Sequence, residues 1–419
     1  MNKLKMHRDV ILAGLDVGTS KICIVIGELN EEGELDVIGI GSHPSQGVRK
    51  GRIVDIERTC DGIHEAIREA ELMAGCSIHE VFVNVSGSHV RSSNSSGIVP
   101  LSDRIVRDAD IHHVLAAARA VPFDQHAKLL HILPQEFVID EQDKIINPLG
   151  MSGVRMEARV HLITGSLSCI ENITRCVQKS RRHPSALILN AIADSESLLH
   201  EDERDLGVAM VDIGAGTTDI AIFESKSIVH TIVLPVGGDQ ITNDIATSLS
   251  TPTQDAERLK IRHGCAKSGL LRHNEHFEVP GVAGRRPRKQ SRLFLAEVIE
   301  PRVEEIFSLI VQEIRRCGCE GLLSSGLVLT GGCTNLEGFC EAAEEITGMP
   351  VKRGFPQQVG GLSDIVRSPI YSTSIGLLQH GLRLQQDPYL DPMAPPTSFL
   401  AKSRQQLHEM VQKVSRFFS

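Results

Sequence analysis

Asp212-Ile213-Gly214-Ala215-Gly216-Thr217-Thr218-Asp219 decides how this chain is read, because a shorter version, Asp16-Val17-Gly18-Thr19-Ser20-Lys21, stands far upstream of it. Apolar, β-branched runs flank both: Ile11 to Leu15 and Ile22 to Ile26 around the first, Val208 to Val211 and Ile220 to Phe223 around the second. That pattern predicts strand, tight turn, strand. Glycine lets the turn backbone come close to a ligand and present N–H groups to anionic oxygens. The Thr and Ser hydroxyls add donors, and the leading Asp can hold a hydrated divalent cation against phosphates. One Asp-x-Gly turn looks like any hairpin. Two copies far apart point to two related lobes holding one nucleotide between them.

The 419 residues are enough for a large core and more than one domain. Hydrophobic residues at 41% and charged residues at 23% are ordinary for a soluble globular protein. A net charge of −9 argues against broad nucleic-acid binding, which needs basic surfaces. With no Trp and two Tyr, platforms for stacking bases are scarce. Ten cysteines without a Cys-x-x-Cys pair read as reduced, mostly buried thiols of a cytoplasmic protein. Met1 to Asp9 is basic, but the apolar run Val10 to Leu15 is too short for a signal sequence, and no uncharged apolar stretch nears the ~20 residues of a membrane span. The expectation is a body neither exported nor transmembrane.

Past the first turn, Leu35 to Ile40 reads as a strand, and Ile53 to Ala74 has helical spacing with Ile56, Cys60, Ile63, Ile67 and Ala70 on one face. Val81, Val83 and Val85 alternate as a strand. From Ser86 to Gly165 the character changes. Asp108 or Asp110 is placed to cap a helix, and strand-like runs follow at His131 to Asp140 and Arg155 to Thr164, together an inserted module. A helix near Cys169 to Ser180, a strand at Ala186 to Leu189 and a helix at Ala191 to Leu199 return to the lobe pattern. After the second turn, Gly237-Gly238-Asp239 opens a helix, and Asp255 to Ile261 is helical with Glu257 and Lys260 on one face. Val282 to Arg292 reads as a polar loop with Arg285, Arg286, Arg288, Lys289 and Arg292, and Leu293 to Cys317 as a long helix interrupted at Pro301. Gly326 to Leu329 reads as a buried strand ending in Thr330-Gly331-Gly332, where a glycine pair can touch a ligand.

Asp387 to Thr397 holds four prolines and reads as an extended linker. Beyond it Leu407, Met410, Val411, Val414, Phe417 and Phe418 fall on one apolar stripe, with Lys402, Arg404, Lys413 and Arg416 on or beside the polar face. A basic amphipathic helix on a tether fits an in-plane anchor on anionic membrane lipid. A terminal helix docked on the core or on a partner is the alternative.

The ordered set of turns resembles the actin, Hsp70 and sugar-kinase superfamily, and within it the FtsA family of bacterial cell-division actin homologues. Gly14 to Lys21, Ile132-Leu133-Pro134-Gln135-Glu136-Phe137, Gly153-Val154-Arg155-Met156, Val160 to Thr164, Val211 to Asp219, Arg262 to Ala266, Glu297 to Arg302 and Leu329 to Gly332 carry the resemblance, which covers almost the whole chain. It implies an α/β, two-lobed actin/Hsp70-like ATPase fold, with duplicated RNase H-like lobes, an inserted subdomain 1C and a C-terminal amphipathic helix. Subdomain 1A would take 1–85, 166–200 and 365–385, subdomain 1C 86–165, subdomain 2A 201–228 and 306–364, and subdomain 2B 229–305. A flexible linker at 386–401 and the membrane-targeting helix at 402–419 would follow.

The resemblance further implies ATP with Mg2+ in the cleft. Asp16, Gly18, Thr19, Ser20 and Lys21 would face the phosphates from one side, and Asp212, Gly214, Gly216, Thr217 and Thr218 from the other. Asp16 and Asp212 would hold the metal through water. Gly331 and Gly332 would lie under the adenosine, and Asn243 could reach the sugar. Glu257 and Lys260 match ribose- and adenine-contacting positions, or form an ordinary surface ion pair worth a few tenths of a kcal/mol. No residue matches actin's water-positioning glutamine, so at most weak ATPase activity is implied. Ala215 stands where related sequences often carry a third glycine, and the turn accepts it only with a negative φ.

The implied role is polymerisation on the inner face of the cytoplasmic membrane at the division septum, tethering the C-terminal tail of the tubulin-like FtsZ and recruiting later division proteins. Arg302 and Glu305 would lie at the tail's docking site. The Arg285 to Arg292 cluster is either a solvated loop or a second contact for that acidic tail. A kinase or a chaperone-type ATPase of the same fold is the alternative, against which the terminal helix and the short tail speak.

Overall fold

The computed structural model describes residues 10–386, apart from 31, 274 and 282–285. The first lobe opens with β1 (Ile11–Val17), β2 (Lys21–Leu29) and β3 (Leu35–Pro44), the small hairpin β4 (Val48–Arg49) and β5 (Arg52–Ile53), α1 (Ile56–Ala74) and β6 (Glu80–Val85). The inserted module follows with β7 (Arg91–Pro100), α2 (Asp108–Arg119), β8 (Ala127–Ile139), β9 (Gln142–Ile145) and β10 (Arg155–Ser166). The chain returns through α3 (Leu167–Lys179), β11 (His183–Leu189), α4 (Asn190–Leu198) and α5 (Glu201–Leu206). The second lobe holds β12 (Val208–Ile213), β13 (Thr218–Glu224), β14 (Ser227–Leu234), α6 (Gly238–Ser248), α7 (Thr253–His263), β15 (His276–Val279), β16 (Arg288–Ser291) and α8 (Arg292–Arg316). It ends with β17 (Leu327–Thr330), α9 (Phe339–Thr347) and β18 (Val351–Arg353), before β19 (Gly360–Gly361), α10 (Ser363–Val366) and α11 (Ser372–Gln386) rejoin the first lobe.

Both main sheets have one plan. In the first, β3-β2-β1 form an antiparallel meander and β6 and β11 add in parallel beyond β1. In the second, β14-β13-β12 repeat the meander and β17 and β18 add in parallel beyond β12. The duplication visible in two short turns therefore extends to whole sheets. β1 and β12 are buried almost throughout, as strands covered on both faces must be.

Helices α4 and α11 lie between the two sheets. Ile192, Leu198, Ile375 and Leu378 share one core with Leu12 and Val25 of the first sheet and Met210 and Phe223 of the second. The two helices cross so closely that a Cβ on Gly376 would overlap the backbone carbonyl of Ala193. α1 and α3 cover the outer face of the first sheet, and α8 and α9 that of the second. The inserted module has its own antiparallel sheet, β7-β10-β8-β9, and its own core around Val114, Leu115, Met156 and Leu162. It leans on the second lobe's β14: Ser92 Oγ donates to the Thr231 carbonyl at 2.7 Å, and Gln135 Nε2 to the Ile228 carbonyl at 2.8 Å.

Several local expectations are corrected. α8 runs unbroken through Pro301, because proline removes only its own N–H while Leu295, Ile299, Val303, Ile306 and Phe307 pack the helix face on the core. The basic stretch before α8 is not all loop: Arg288 to Ser291 pair with β15, Arg288 donates to the Leu249 carbonyl, and Arg292 to the His263 carbonyl at 3.0 Å and to Glu337. Arg107, not an Asp, is the N-cap of α2; Asp110 sits three residues in and accepts from the Arg107 N–H at 2.9 Å. β14 carries the second sheet from Ser227 to Leu234, and β19 at Gly360–Gly361 pairs with β3 of the first sheet. The linker and the stripe from Leu407 to Phe418 lie outside the described residues.

Candidate functional site

The two turns are superposable in their bonding. The Gly18 N–H donates to the Lys21 carbonyl at 2.9 Å, and the Gly214 N–H to the Thr217 carbonyl at 2.9 Å. In each, an Asp two residues before that glycine is the penultimate residue of its strand, in register with Cys23 in one lobe and Asp219 in the other. Ala215 is not among the described residues with positive φ, so the alanine fits its turn. The N-terminus of α6 docks on the second turn, with Gly238 N–H donating to the Gly214 carbonyl at 2.9 Å and Asp239 N–H to the Ala215 carbonyl at 2.8 Å. Gly331 closes the floor with φ 88, and a Cβ there would collide with the Asp212 carboxylate.

Four carboxylates gather under these turns. Asp16 and Asp212 are joined by Asp194 from α4 and by Asp219 from β13, all buried. Burial pushes Asp16 up to about 6, with Lys21 working in the opposite direction. Burial and the charge of Asp16 push Asp212 up to about 7, against the Asn190 amide that bonds it. Asp194 and Asp219 are driven well above the carboxylate range, by burial first and by the charge of Asp212 second. A chain of amides ties the group: Asn84 Nδ2 donates to Asp16 at 2.7 Å and to the Asn190 side-chain oxygen at 2.9 Å, while its own oxygen accepts from the Val17 N–H at 2.7 Å. Ser86 Oγ donates to Asp219 at 2.7 Å, and Thr373 Oγ1 to Asp194 at 2.9 Å.

One oxygen of Asp194 and one of Asp219 remain without a partner among the described residues. Buried, mutually repelling carboxylates with orphaned oxygens suit a divalent cation. Among the described residues no three Asp, Glu, His or Cys side chains converge tightly enough to ligate an ion directly. These carboxylates would have to hold an ion through its water shell. Asp194, Asp219, Asn84, Asn190 and Ser86 are not among the residues that the sequence singles out; Asn84 and Asn190 are lone polar residues in apolar runs, Asp194 opens the polar stretch Asp194-Ser195-Glu196-Ser197, Ser86 follows the β6 strand, and Asp219 closes the quoted motif.

The remaining expected residues divide. Thr19 Oγ1 accepts from the Gly51 N–H at 3.3 Å, Ser20 is exposed, and Thr217 stands 3.2 Å from Ser86 Oγ. The buried Thr218 hydroxyl donates inward, to the Val236 carbonyl at 2.9 Å. Lys21 turns away to the Ile370 carbonyl and lies 4.4 Å over the Tyr371 ring. Glu257 and Lys260 pair at 2.7 Å beside the second turn, where Lys260 also donates to Thr242 at 2.8 Å and to the Gly238 carbonyl at 3.1 Å. Cys333 donates to the Gly214 carbonyl at 3.3 Å on that same side. Asn243 is exposed, one position round α6 from Thr242, and Gly332 faces Ile370. Arg302 is already held, by Asp244 at 2.6 and 3.1 Å and by Glu305. An open hollow of ≈ 490 Å³ lined by Lys352 to Val359 and Arg367 contains no residue of either turn.

Two family models match the chain: "Cell division protein FtsA" over residues 209–376, and "SHS2 domain inserted in FTSA" over residues 87–164. The chain is 52% identical over 377 residues to the cell division protein FtsA of Pseudomonas aeruginosa, covering 90% of each. It is 42% identical over 378 residues to that of Escherichia coli K12, covering 88% of this chain and 90% of the relative. Among solved structures it is similar to a PilM-PilN type IV pilus biogenesis complex, with a TM-score of 0.65 at 16% identity, covering 88% of this chain and 98% of that one. MreB 5 of Spiroplasma citri bound to AMPPNP gives a TM-score of 0.53 at 13% identity, covering 90% and 97%. These structural likenesses establish the actin-like ATPase fold.

Proposed function

The chain belongs to the FtsA family of bacterial cell division proteins, and from that premise we propose an ATP-binding adaptor that polymerises on the membrane at the division site. ATP would sit between the two lobes, its phosphates against the turns at Asp16 to Lys21 and Asp212 to Thr218, its adenosine beside Glu257, Lys260 and Gly331. The observation that carries this reading is the group of four buried carboxylates beneath two identically bonded turns, an arrangement that a folded chain keeps at a cost unless a cation relieves it. Mg2+ would be held through water by Asp16 and Asp212, with Asp194 and Asp219 behind them. When bound, the ion neutralises phosphate charge. The chain's own residues orient it: the amides of Asn84 and Asn190 fix the Asp16 and Asp212 carboxylates, and Ser86 fixes Asp219.

Attachment to anionic lipid of the inner membrane would come from the stripe Leu407, Met410, Val411, Val414, Phe417 and Phe418. Among the described residues no helix is long and apolar enough to cross a membrane. One such helix binds reversibly, and filament formation would add avidity. The FtsZ tail would dock on α8 at Arg302 and Glu305, competing for a guanidinium that Asp244 already holds. Later division proteins would use the inserted module. Vesicle co-sedimentation of the full chain with and without Mg2+ and ATP, with microscopy for filaments, tests the reading. ATP-dependent filaments on vesicles, and loss of an FtsZ tail peptide from the pellet on Arg302→Glu, are expected. Equal sedimentation with and without ATP and no filaments would refute it.

A further inference from the structure

The tip of the β4–β5 hairpin meets both phosphate turns. From one side the Gly51 N–H donates to Thr19 Oγ1 at 3.3 Å. From the other, a Cβ on Gly216 would come 2.7 Å from Thr19 Oγ1 and 3.0 Å from both the Cα and the backbone nitrogen of Lys50. Three pieces of chain thus converge where Gly216 has no side chain. The hairpin also rests on the corner that leads into the inserted module, since a Cβ on Gly51 would lie 2.7 Å from the Ser86 carbonyl oxygen.

Lys50 has φ 48 and Gly51 φ 71, the left-handed pair of a type I′ turn. Asn, Asp or Gly suits the first of those positions, and lysine is strained there. Strain kept at a ligand cleft points to a use. Among the described residues the side chains of Arg49 and Lys50 make no hydrogen bond or ion pair. Their charges act on Asp239, whose N–H is bonded to the second turn. Lys21, the cation expected at the phosphates, is committed to Ile370 and Tyr371.

We propose that Lys50 binds the terminal phosphate of a nucleoside triphosphate held between the two turns, so that the hairpin distinguishes triphosphate from diphosphate. This rests on the ATP reading above and adds a contact that reading lacks. The β-phosphate is reached by turn backbone from either lobe, whereas an ammonium at the hairpin tip rewards only the outermost charge.

The test measures Mg-ATP and Mg-ADP affinities of the full chain by competition with a fluorescent nucleotide, for wild type, Lys50→Asn, Lys50→Gln and Lys50→Arg. Lys50→Asn should weaken ATP about tenfold, as loss of one charge-assisted contact does, and leave ADP within about twofold. Its melting temperature should rise, because Asn suits the turn. Lys50→Gln should show the same selective loss without that rise, and Lys50→Arg should keep the preference for ATP. Equal weakening of ATP and ADP, or unchanged ATP affinity in Lys50→Asn and Lys50→Gln, overturns the proposal while the ATP site stands. A wild type that binds neither nucleotide overturns the ATP reading itself.

Discussion

Asp212 concentrates the chemistry of the cleft in one side chain. It sits one residue before the end of β12, faces Asp219 across the hairpin and forbids any side chain at 331. Asp212→Ala should weaken Mg-ATP binding at least tenfold in isothermal titration, since it removes a carboxylate expected to hold the hydrated ion. Unchanged affinity in the folded variant would sink the site. The raised carboxylates also set a pH dependence. Asp16, moved from 3.8 to about 6, and Asp212, moved to about 7, bind more protons folded than unfolded. Their stabilising protons are present below about pH 4 and are lost as pH rises through 6 and 7. Without nucleotide and metal, the contribution of this cluster should therefore fall between pH 4 and 8. Asp212→Asn should flatten that fall and raise the metal-free melting temperature at pH 8 by a few °C, on the order of 1 kcal/mol. Scanning calorimetry across that range reads it; an equal slope in both proteins would mean the cluster is already solvated. At this scale the sequence was half legible. The turns announce themselves by spacing, whereas Asn84 and Asn190 are lone polar residues and Asp194 one of several on α4, all carried in by β6 and α4 from elsewhere in the chain.

Among the elements, α4 and α11 join the lobes, and their contact leaves no room for growth. Gly376→Ala would drive a methyl into the Ala193 carbonyl, an obstacle of backbone that cannot rotate away. A loss of about 3 kcal/mol in urea unfolding is expected, the upper end for overpacking. A loss under about 1 kcal/mol would mean the helices separate easily. The elements were largely visible in the apolar periodicity, and their errors share a cause. Pro301 and the basic run before α8 read as breaks because local propensity says so, yet packing on the second core and pairing with β15 override it. The apolar stripe from Leu407 to Phe418, outside the described residues, is a separate case and rests on the sequence alone. On the helix proposed there, Phe417→Glu would put a carboxylate in the middle of the stripe, costing about 2–3 kcal/mol at depth. The variant should stay behind when wild type floats with anionic liposomes, and should still bind ATP. Equal flotation would rule the tail out as the anchor, and joint loss of ATP binding would place it on the core.

Across the whole molecule, the duplication was readable from two turns, but the layering was not. Nothing in the sequence says that α4 and α11 would be shared between sheets, because their apolar faces look like those of any helix packed on one sheet. That layering has a consequence for how the protein is made. β1 is made long before α11, which covers it, and β3 waits for β19. The first lobe therefore cannot close until α11 has been made. A ribosome stalled near residue 350 should present its first sheet still protease-sensitive, although every one of its five other strands has been translated. Such a nascent chain, with apolar strands exposed for most of translation, is a natural client for the chaperones that meet polypeptides at the exit tunnel.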